Sequence, residues 1–157
     1  MSNTDFHTFR GYMQKGSEFL TPSMEDYMEM IYRLSRDRNF ARVNELAKCL
    51  NVQPPSATKM IQKLAELNLI RYEKYGVIIL TDEGSRIGKM LLERHRIIER
   101  FLEFIAPTKD VLEQTEMLEH SFDEETLESI NIFMEFLKDN PKIISEFQNY
   151  YKTKKGI

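Results

Sequence analysis

The chain has 157 residues, enough to bury a sizeable core in one compact domain or in two small ones sharing a helix. Its single cysteine, Cys49, excludes an intrachain disulfide, and no apolar run is long enough to span a bilayer. The formal net charge of −3 hides a segregation: residues 41–100 carry more Lys and Arg than Asp and Glu, whereas 109–140 hold ten acidic residues against Lys109 and Lys138. A basic half implies nucleic-acid phosphate as a partner, and an acidic half implies cations.

Residues 1–20, with Gly11, Gly16 and His7, show no sustained periodicity and read as a partly helical extension. The start MSNTDFHTFRGYMQ lacks the apolar core of a secretory signal, so the expected location is the cytoplasm, with no membrane partner. Thr21-Pro22 marks a helix start, a capping hydroxyl followed by proline at the first helical position. Tyr27, Ile31 and Leu34, with Met30 beside them, form its apolar stripe, and Asp26 and Glu29 share an edge of it.

Residues 36–40 are polar and turn-like, and Asn44 is the expected cap of a short helix containing Leu46, Ala47 and Leu50. Cys49 falls in that run, where a small buried residue is expected, so its predicted role is packing. Asn51-Val52-Gln53 is a tight connection. Pro54-Pro55 is tolerated only in a first turn, which opens a helix over about 55–67 that buries Met60, Ile61 and Leu64. Two β-rich runs, Leu69–Glu73 and Val77–Leu80, joined through Lys74-Tyr75-Gly76, read as a hairpin.

Thr81-Asp82-Glu83 then caps a long helix with the stripe Ile87, Leu91, Ile98, Phe101, Leu102 and Ile105, ending at Ala106-Pro107. His95 lies within that stripe. Three more helices are expected: one bearing Glu116, Glu119 and His120, one with Leu127, Ile130, Met134 and Leu137, and one opened by Asn140-Pro141 with Ile144, Phe147 and Tyr151. The predicted fold is mainly α with a small β-hairpin wing. It divides into an extension (1–20), a winged helix-turn-helix (21–83) and a helical dimerisation and metal-binding part (84–157).

Short helix, tight turn, second helix with a polar face, then a hairpin is the order of a winged helix-turn-helix. Gln53, Pro55, Ser56, Thr58, Lys59, Gln62 and Lys63 are the candidates for the groove. Hydroxyls and ammonium groups suit phosphate, and Gln can reach base edges. Lys74 and Tyr75 at the hairpin tip are candidates for the backbone or minor groove. Any amphipathic helix has a polar face; the wing and the local positive charge favour DNA.

Asp26, Glu29, His95 and Glu116-x-x-Glu119-His120 are residue types that ligate metals. Alone, Asp26 and Glu29 could serve a helix dipole, His95 could be a core histidine, and the acidic run could be a solvated face. Together they supply four carboxylates and two imidazoles, which repel or protonate unless cations balance them. Hard oxygens with a minority of nitrogens and no thiolate fit manganese or ferrous iron better than structural zinc.

These residues resemble the diphtheria toxin repressor family, in its short manganese-transport regulator branch. The matching runs are Thr21-Pro22-Ser23-Met24-Glu25-Asp26-Tyr27 with Glu29, Ile31 and Tyr32; Ala41-Arg42-Val43; Ser56-Ala57-Thr58-Lys59-Met60 with Gln62-Lys63-Leu64; Tyr72-Glu73-Lys74-Tyr75 with Leu80-Thr81; Arg94-His95; and Glu116-x-x-Glu119-His120. The resemblance covers about residues 20–140. It implies a binuclear manganese site of Asp26, Glu29, His95, Glu116, Glu119 and His120, with Glu29 and Glu119 bridging. Iron-responsive members carry methionine and cysteine where this chain has Asp26 and Glu116, and usually add an SH3-like domain that this length does not accommodate. Gly76-Val77 departs from the Arg-Gly common in relatives' wings.

The resemblance further implies a homodimer on a palindromic double-stranded operator, repressing metal-uptake genes when two Mn2+ ions fill each subunit. Fe2+, Co2+, Cd2+ or Zn2+ would also bind in vitro, and no organic substrate is expected. The competing readings are an iron-responsive member, a winged-helix regulator with an organic effector, and a dinuclear metalloenzyme. The last lacks the paired Glu-x-x-His motifs of ferritin-like sites, since Leu92 and Met117 stand three residues before His95 and His120.

Overall fold

A computed structural model describes residues 20–157; the extension, with His7, lies outside them apart from Leu20. The chain divides into two compact units, one ending at Glu93 and the other running Arg94–Ile157. Among the described residues no helix is long and apolar enough to cross a membrane.

The first unit begins with α1, Pro22–Ser35, where Thr21 caps as expected: its hydroxyl accepts the Met24 N–H at 3.2 Å, and Pro22 needs no partner for a missing N–H. The buried face is Tyr27, Met28, Ile31 and Ser35, while Met30 and Leu34 are only half-buried, so the helix is rotated toward Met28 relative to the predicted stripe. Asn39, with φ 63°, turns the chain into β1, Ala41–Arg42. This two-residue strand was not expected.

Its presence corrects the cap of the next helix, α2, Val43–Cys49. Arg42 rather than Asn44 is the N-cap, because Arg42 is held extended by pairing with Val77, and Asn44 falls inside the helix. Cys49 is exposed, not packed. Val43, Leu46 and Ala47 form the buried face at i, i+3 and i+4, and Cys49 lies about a third of a turn away from it.

Asn51, φ 52°, makes the tight connection to α3, Pro54–Glu66, with both prolines in its first turn. Ala57, Ile61 and Leu64 are buried and Met60 is half-buried. Asn68, φ 57°, leads into β2, Ile70–Glu73, a short 3-10 turn at Lys74–Gly76, and β3, Val77–Leu80. Asn tolerates the left-handed region that ends a helix, and here an Asn follows each of the first three helices. The sheet is antiparallel in the order β1-β3-β2, with Ile70 opposite Leu80 and Glu73 opposite Val77.

Thr81 starts α4, Asp82–Ile105. Its hydroxyl accepts the Gly84 N–H at 3.0 Å and donates toward the carbonyls of Asn68 (2.8 Å) and Leu69 (3.0 Å), locking the hairpin base to the helix start. Gly84 permits that contact, because a Cβ there would sit 1.8 Å from the Leu69 carbonyl oxygen. One turn on, a Cβ at Gly88 would lie 2.5 Å from Cβ of Tyr32, so α4 crosses α1 at close range.

The second unit takes the remainder of α4, then α5 (Leu112–Leu118), α6 (Glu124–Asp139) and α7 (Pro141–Lys155). Its core includes Ile97, Ile98, Val111, Leu127, Ile130 and Leu137. Of the predicted α4 stripe, Phe101 and Leu102 are half-buried and Ile105 is exposed. Phe133 meets Phe101 and Phe104 edge-on at 6.3 and 5.9 Å, and Phe104 meets Phe147 at 4.7 Å, attaching α7, which has no buried residue. Helix α5 is shorter than expected, so Glu119 is its C-cap and His120 follows in a turn rather than on the helix.

Candidate metal centre and DNA-facing surface

The second unit brings three of the predicted ligands together. His95, 3% exposed, projects from α4, and its Nδ1 lies 2.7 Å from Oε2 of Glu119, also 3% exposed. His120 approaches the other oxygen of that carboxylate, Nε2 to Oε1, at 3.7 Å. A buried carboxylate is costly unless donors or cations surround it. Here the His95 imidazole does so on one oxygen, and the His120 ring stands near the other at a distance too long for a hydrogen bond.

The Glu119 N–H closes the last turn of α5 on the Thr115 carbonyl at 2.9 Å, and Glu119 is the C-cap, still with helical backbone angles (φ −61°, ψ −25°), followed by His120 in the turn. Thr115 is itself buried, its hydroxyl donating to the Val111 carbonyl at 2.9 Å. Glu116, one turn earlier on α5, is exposed.

In the first unit, Asp26 is exposed and Glu29 is buried on α1, where Arg33 one turn later pairs with Glu29 at 2.8 Å. Two residues that sequence reasoning gave no role stand beside the histidines. Glu99, four after His95, has Oε2 3.9 Å from His95 Nε2. The signal for it was the i, i+4 spacing on a helix. Arg94, 2% exposed, has Nη2 3.1 Å from His120 Nδ1. A buried arginine beside a histidine is visible only once the fold is known.

Oxygen and imidazole nitrogen donors converge on one buried carboxylate in the second unit, with no thiolate among them. That donor chemistry fits a divalent cation of intermediate hardness.

The DNA candidates occupy α3 and the wing. Gln53 is the α3 N-cap, and Gln53, Pro55, Ser56, Lys59, Gln62 and Lys63 are all exposed. Ser56, Lys59 and Lys63 recur at i, i+3 and i+7 along one face. Thr58 is half-buried and its hydroxyl donates back to the Pro54 carbonyl at 3.0 Å, which leaves only its lone pairs for an external donor. Lys74 is exposed, and Tyr75 is 93% exposed at the wing tip with φ 63°.

Behind the wing, the Arg38 and Arg42 guanidinium groups lie 4.7 and 5.5 Å from the centroid of the Phe40 ring. Arg42 Nη1 reaches the Tyr75 carbonyl at 3.5 Å. Arg38 also pairs with Glu45, and the hydrogen bond from its guanidinium holds the Glu45 carboxyl below the usual range.

Comparison with known proteins gives concordant matches. The profile described as "Iron dependent repressor, N-terminal DNA binding domain" matches residues 19–78, and "Iron dependent repressor, metal binding and dimerisation domain" matches 81–148. The chain is 37% identical over 133 residues to the HTH-type transcriptional regulator MntR of Oceanobacillus iheyensis, covering 84% of this chain and 90% of that protein. It is 38% identical over 135 residues to the protein of the same name from Listeria welshimeri, covering 85% and 95%. Among solved structures, the manganese regulator SloR is similar at 30% identity and a TM-score of 0.62, covering 74% of this chain and 55% of that one. The chain thus spans about half the length of that solved regulator.

Proposed function

We infer the effector and its mode of action from the fact that this chain belongs to the iron-dependent repressor family and is a metal-responsive, DNA-binding transcriptional regulator with a dimerisation domain, not an enzyme. The effector is manganese. Asp26, Glu29, His95, Glu116, Glu119 and His120 are the residues that would hold two ions per subunit. Ferrous iron, cobalt, cadmium and zinc also load in vitro, as expected where affinity alone does not select. The observation that carries this reading is Glu119, a buried carboxylate with an imidazole nitrogen at each oxygen.

When bound, manganese supplies the positive charge that these carboxylates otherwise lack and favours one arrangement of the chain over others. The residues do the rest. Glu119 holds the His95 ring through its Nδ1 at 2.7 Å and so fixes the orientation of that imidazole. Arg33 holds the Glu29 side chain along α1. Asp26 and Glu29 belong to the DNA-reading part (21–83), and His95, Glu116, Glu119 and His120 to the dimerisation and metal-binding part (84–157).

Gln53, Pro55, Ser56, Thr58, Lys59, Gln62 and Lys63 face the major groove, and Lys74 and Tyr75 lie on the backbone. A homodimer reads a palindromic double-stranded operator, because two-fold symmetry in the protein asks for it in the DNA. The genes so controlled are those for metal uptake, repressed when the site is filled.

The test is fluorescence anisotropy of a labelled operator selected from random DNA, titrated with protein in chelator and then in manganese. Coupling of the usual allosteric size predicts tightening of about 5- to 150-fold. Glu119→Ala abolishes that tightening. Equal affinity with and without manganese overturns the reading and moves the search to organic effectors.

A further inference from the structure

We propose that the pocket between the end of α1, the end of β3 and the start of α4 binds a small zwitterion, a molecule that carries both a carboxylate and an ammonium group as a free amino acid does. The pocket lies within the first unit, and its lining includes none of the six metal ligands and none of the groove and wing candidates. The proposal therefore stands apart from the manganese reading.

The volume is about 430 Å³, toward the small end of ligand pockets at roughly 300–1,000 Å³, so the occupant is a small molecule. Among the described residues the polar lining includes Tyr32, Ser35, Arg36, Asn39, Asp82 and Ser85. Thr81 lines it as well, but its hydroxyl is already taken up by the hairpin base and the helix start.

Three of these side chains lack a partner. Arg36, the C-cap of α1, and Asp82, the first residue of α4, are exposed, and among the described residues neither side chain makes a hydrogen bond or an ion pair, with the other or with anything else. Ser35 is 7% exposed, and its buried Oγ has no hydrogen-bond partner. The two charges have a local reason to be there, since a cation suits the C-terminal end of a helix and an anion the first turn. Ser35 has no such reason. A buried hydroxyl without a partner costs stability, and a polar occupant of the pocket supplies the partner it lacks.

The charges decide the class of occupant. Guanidinium offers five N–H donors and no acceptor, and an ionised carboxylate only accepts. An anion seated on Arg36 is repelled by Asp82, and a cation seated on Asp82 is repelled by Arg36. A zwitterion pairs with both and brings no net charge. Its carboxylate takes two parallel N–H bonds from Arg36, its ammonium donates to Asp82, and the Asn39 amide with the Tyr32 and Ser85 hydroxyls remains for a polar side chain.

The test is the amide 15N–1H spectrum of the full-length wild-type protein, kept in chelator so that no metal complex of the probe forms, titrated with the standard amino acids one at a time. At least one is expected to shift amides within residues 32–39 and 79–85, with Kd of about 1 mM or tighter. Analogues of that amino acid lacking only the ammonium or only the carboxylate are expected to bind about tenfold more weakly or worse, and so is the amino acid itself to Arg36→Gln and to Asp82→Asn. No shift with any amino acid overturns the site. An analogue that binds as tightly as its parent, or a variant that binds as tightly as wild type, overturns the double pairing. Both variants change exposed side chains, so the fold is kept. Ser35→Ala adds a readout of another kind: without ligand its Tm should equal or exceed that of wild type, because an unsatisfied hydroxyl is removed, while its affinity for the amino acid falls. A lower Tm would mean that the hydroxyl is already bonded within the folded chain, and overturns the proposal.

Discussion

Alanine at position 84 should destabilise the first unit, against the sense of helix propensity. On propensity alone Gly→Ala within a helix stabilises by about 1 kcal/mol. The added Cβ, however, would stand 1.8 Å from the Leu69 carbonyl oxygen and 2.8 Å from its carbon. Carbon and oxygen approach no closer than about 3.3 Å, so backbone on one side has to retreat by roughly 1.5 Å. That carbonyl accepts both the Thr81 N–H and the Thr81 hydroxyl, each at 3.0 Å. Losing two such bonds costs about 2 kcal/mol, at about 1 each. Overpacking adds about 1–3 kcal/mol. Net of propensity, destabilisation is about 2–4 kcal/mol, a fall in Tm of roughly 5–15 °C for a chain of this size. Thermal and urea melts of Gly84→Ala should be run beside Gly156→Ala, where φ is 71° and no atom lies within 4 Å. The second variant should lose only about 1–2 kcal/mol for its left-handed backbone. A Gly84→Ala protein as stable as wild type would refute the close contact between helix start and hairpin base.

Asp123 caps α6 by accepting the Thr126 N–H at 2.8 Å, and its hydrogen bonds to the Thr126 side chain and backbone hold its carboxyl below the ordinary 3.8. Because the folded value is depressed, its contribution is complete above the unfolded value near 3.8 and disappears as pH falls through the lower folded one. The stability advantage over Asp123→Asn should shrink in that window, and a 13C titration of the carboxyl with its midpoint at or above 3.8 would exclude the cap's electrostatic part. Lys59 is exposed on α3. If it neutralises a phosphate, Lys59→Ala lowers the slope of log affinity against log salt by about 1. An unchanged slope removes Lys59 from the interface.

The order of helices and hairpin in the first unit was legible because its signals are local: Thr21-Pro22, Pro54-Pro55 and Thr81 act through their own backbone neighbours. What was not legible depended on distant partners. Strand β1 has two residues and no periodicity of its own; it exists because Val77 and Ile78 pair with it. That pairing fixed Arg42 as a cap and displaced Asn44. Cys49 was misjudged because a helix of seven residues offers too few turns for its buried face to be read from composition. The three asparagines at positive φ were a usable signal for helix ends that periodicity did not weigh. For the site, ligand types and spacing singled out His95, Glu119 and His120. The carboxylate beside both rings and the arginine on His120 depend on how α4 packs on the end of α5, which spacing alone cannot give.

The Arg42 contact has a practical reading for anyone recombining such regulators. The wing tip is tied through its Tyr75 carbonyl to an arginine from strand β1, and that arginine rests on Phe40 beside Arg38. A transplant of residues 70–80 alone would cut the hairpin from this bracket and leave its tip aimed by a foreign sequence. The smallest exchangeable cassette is therefore discontinuous, 38–42 together with 70–80, and chimaeras that respect it should keep the donor's wing direction where simpler grafts do not.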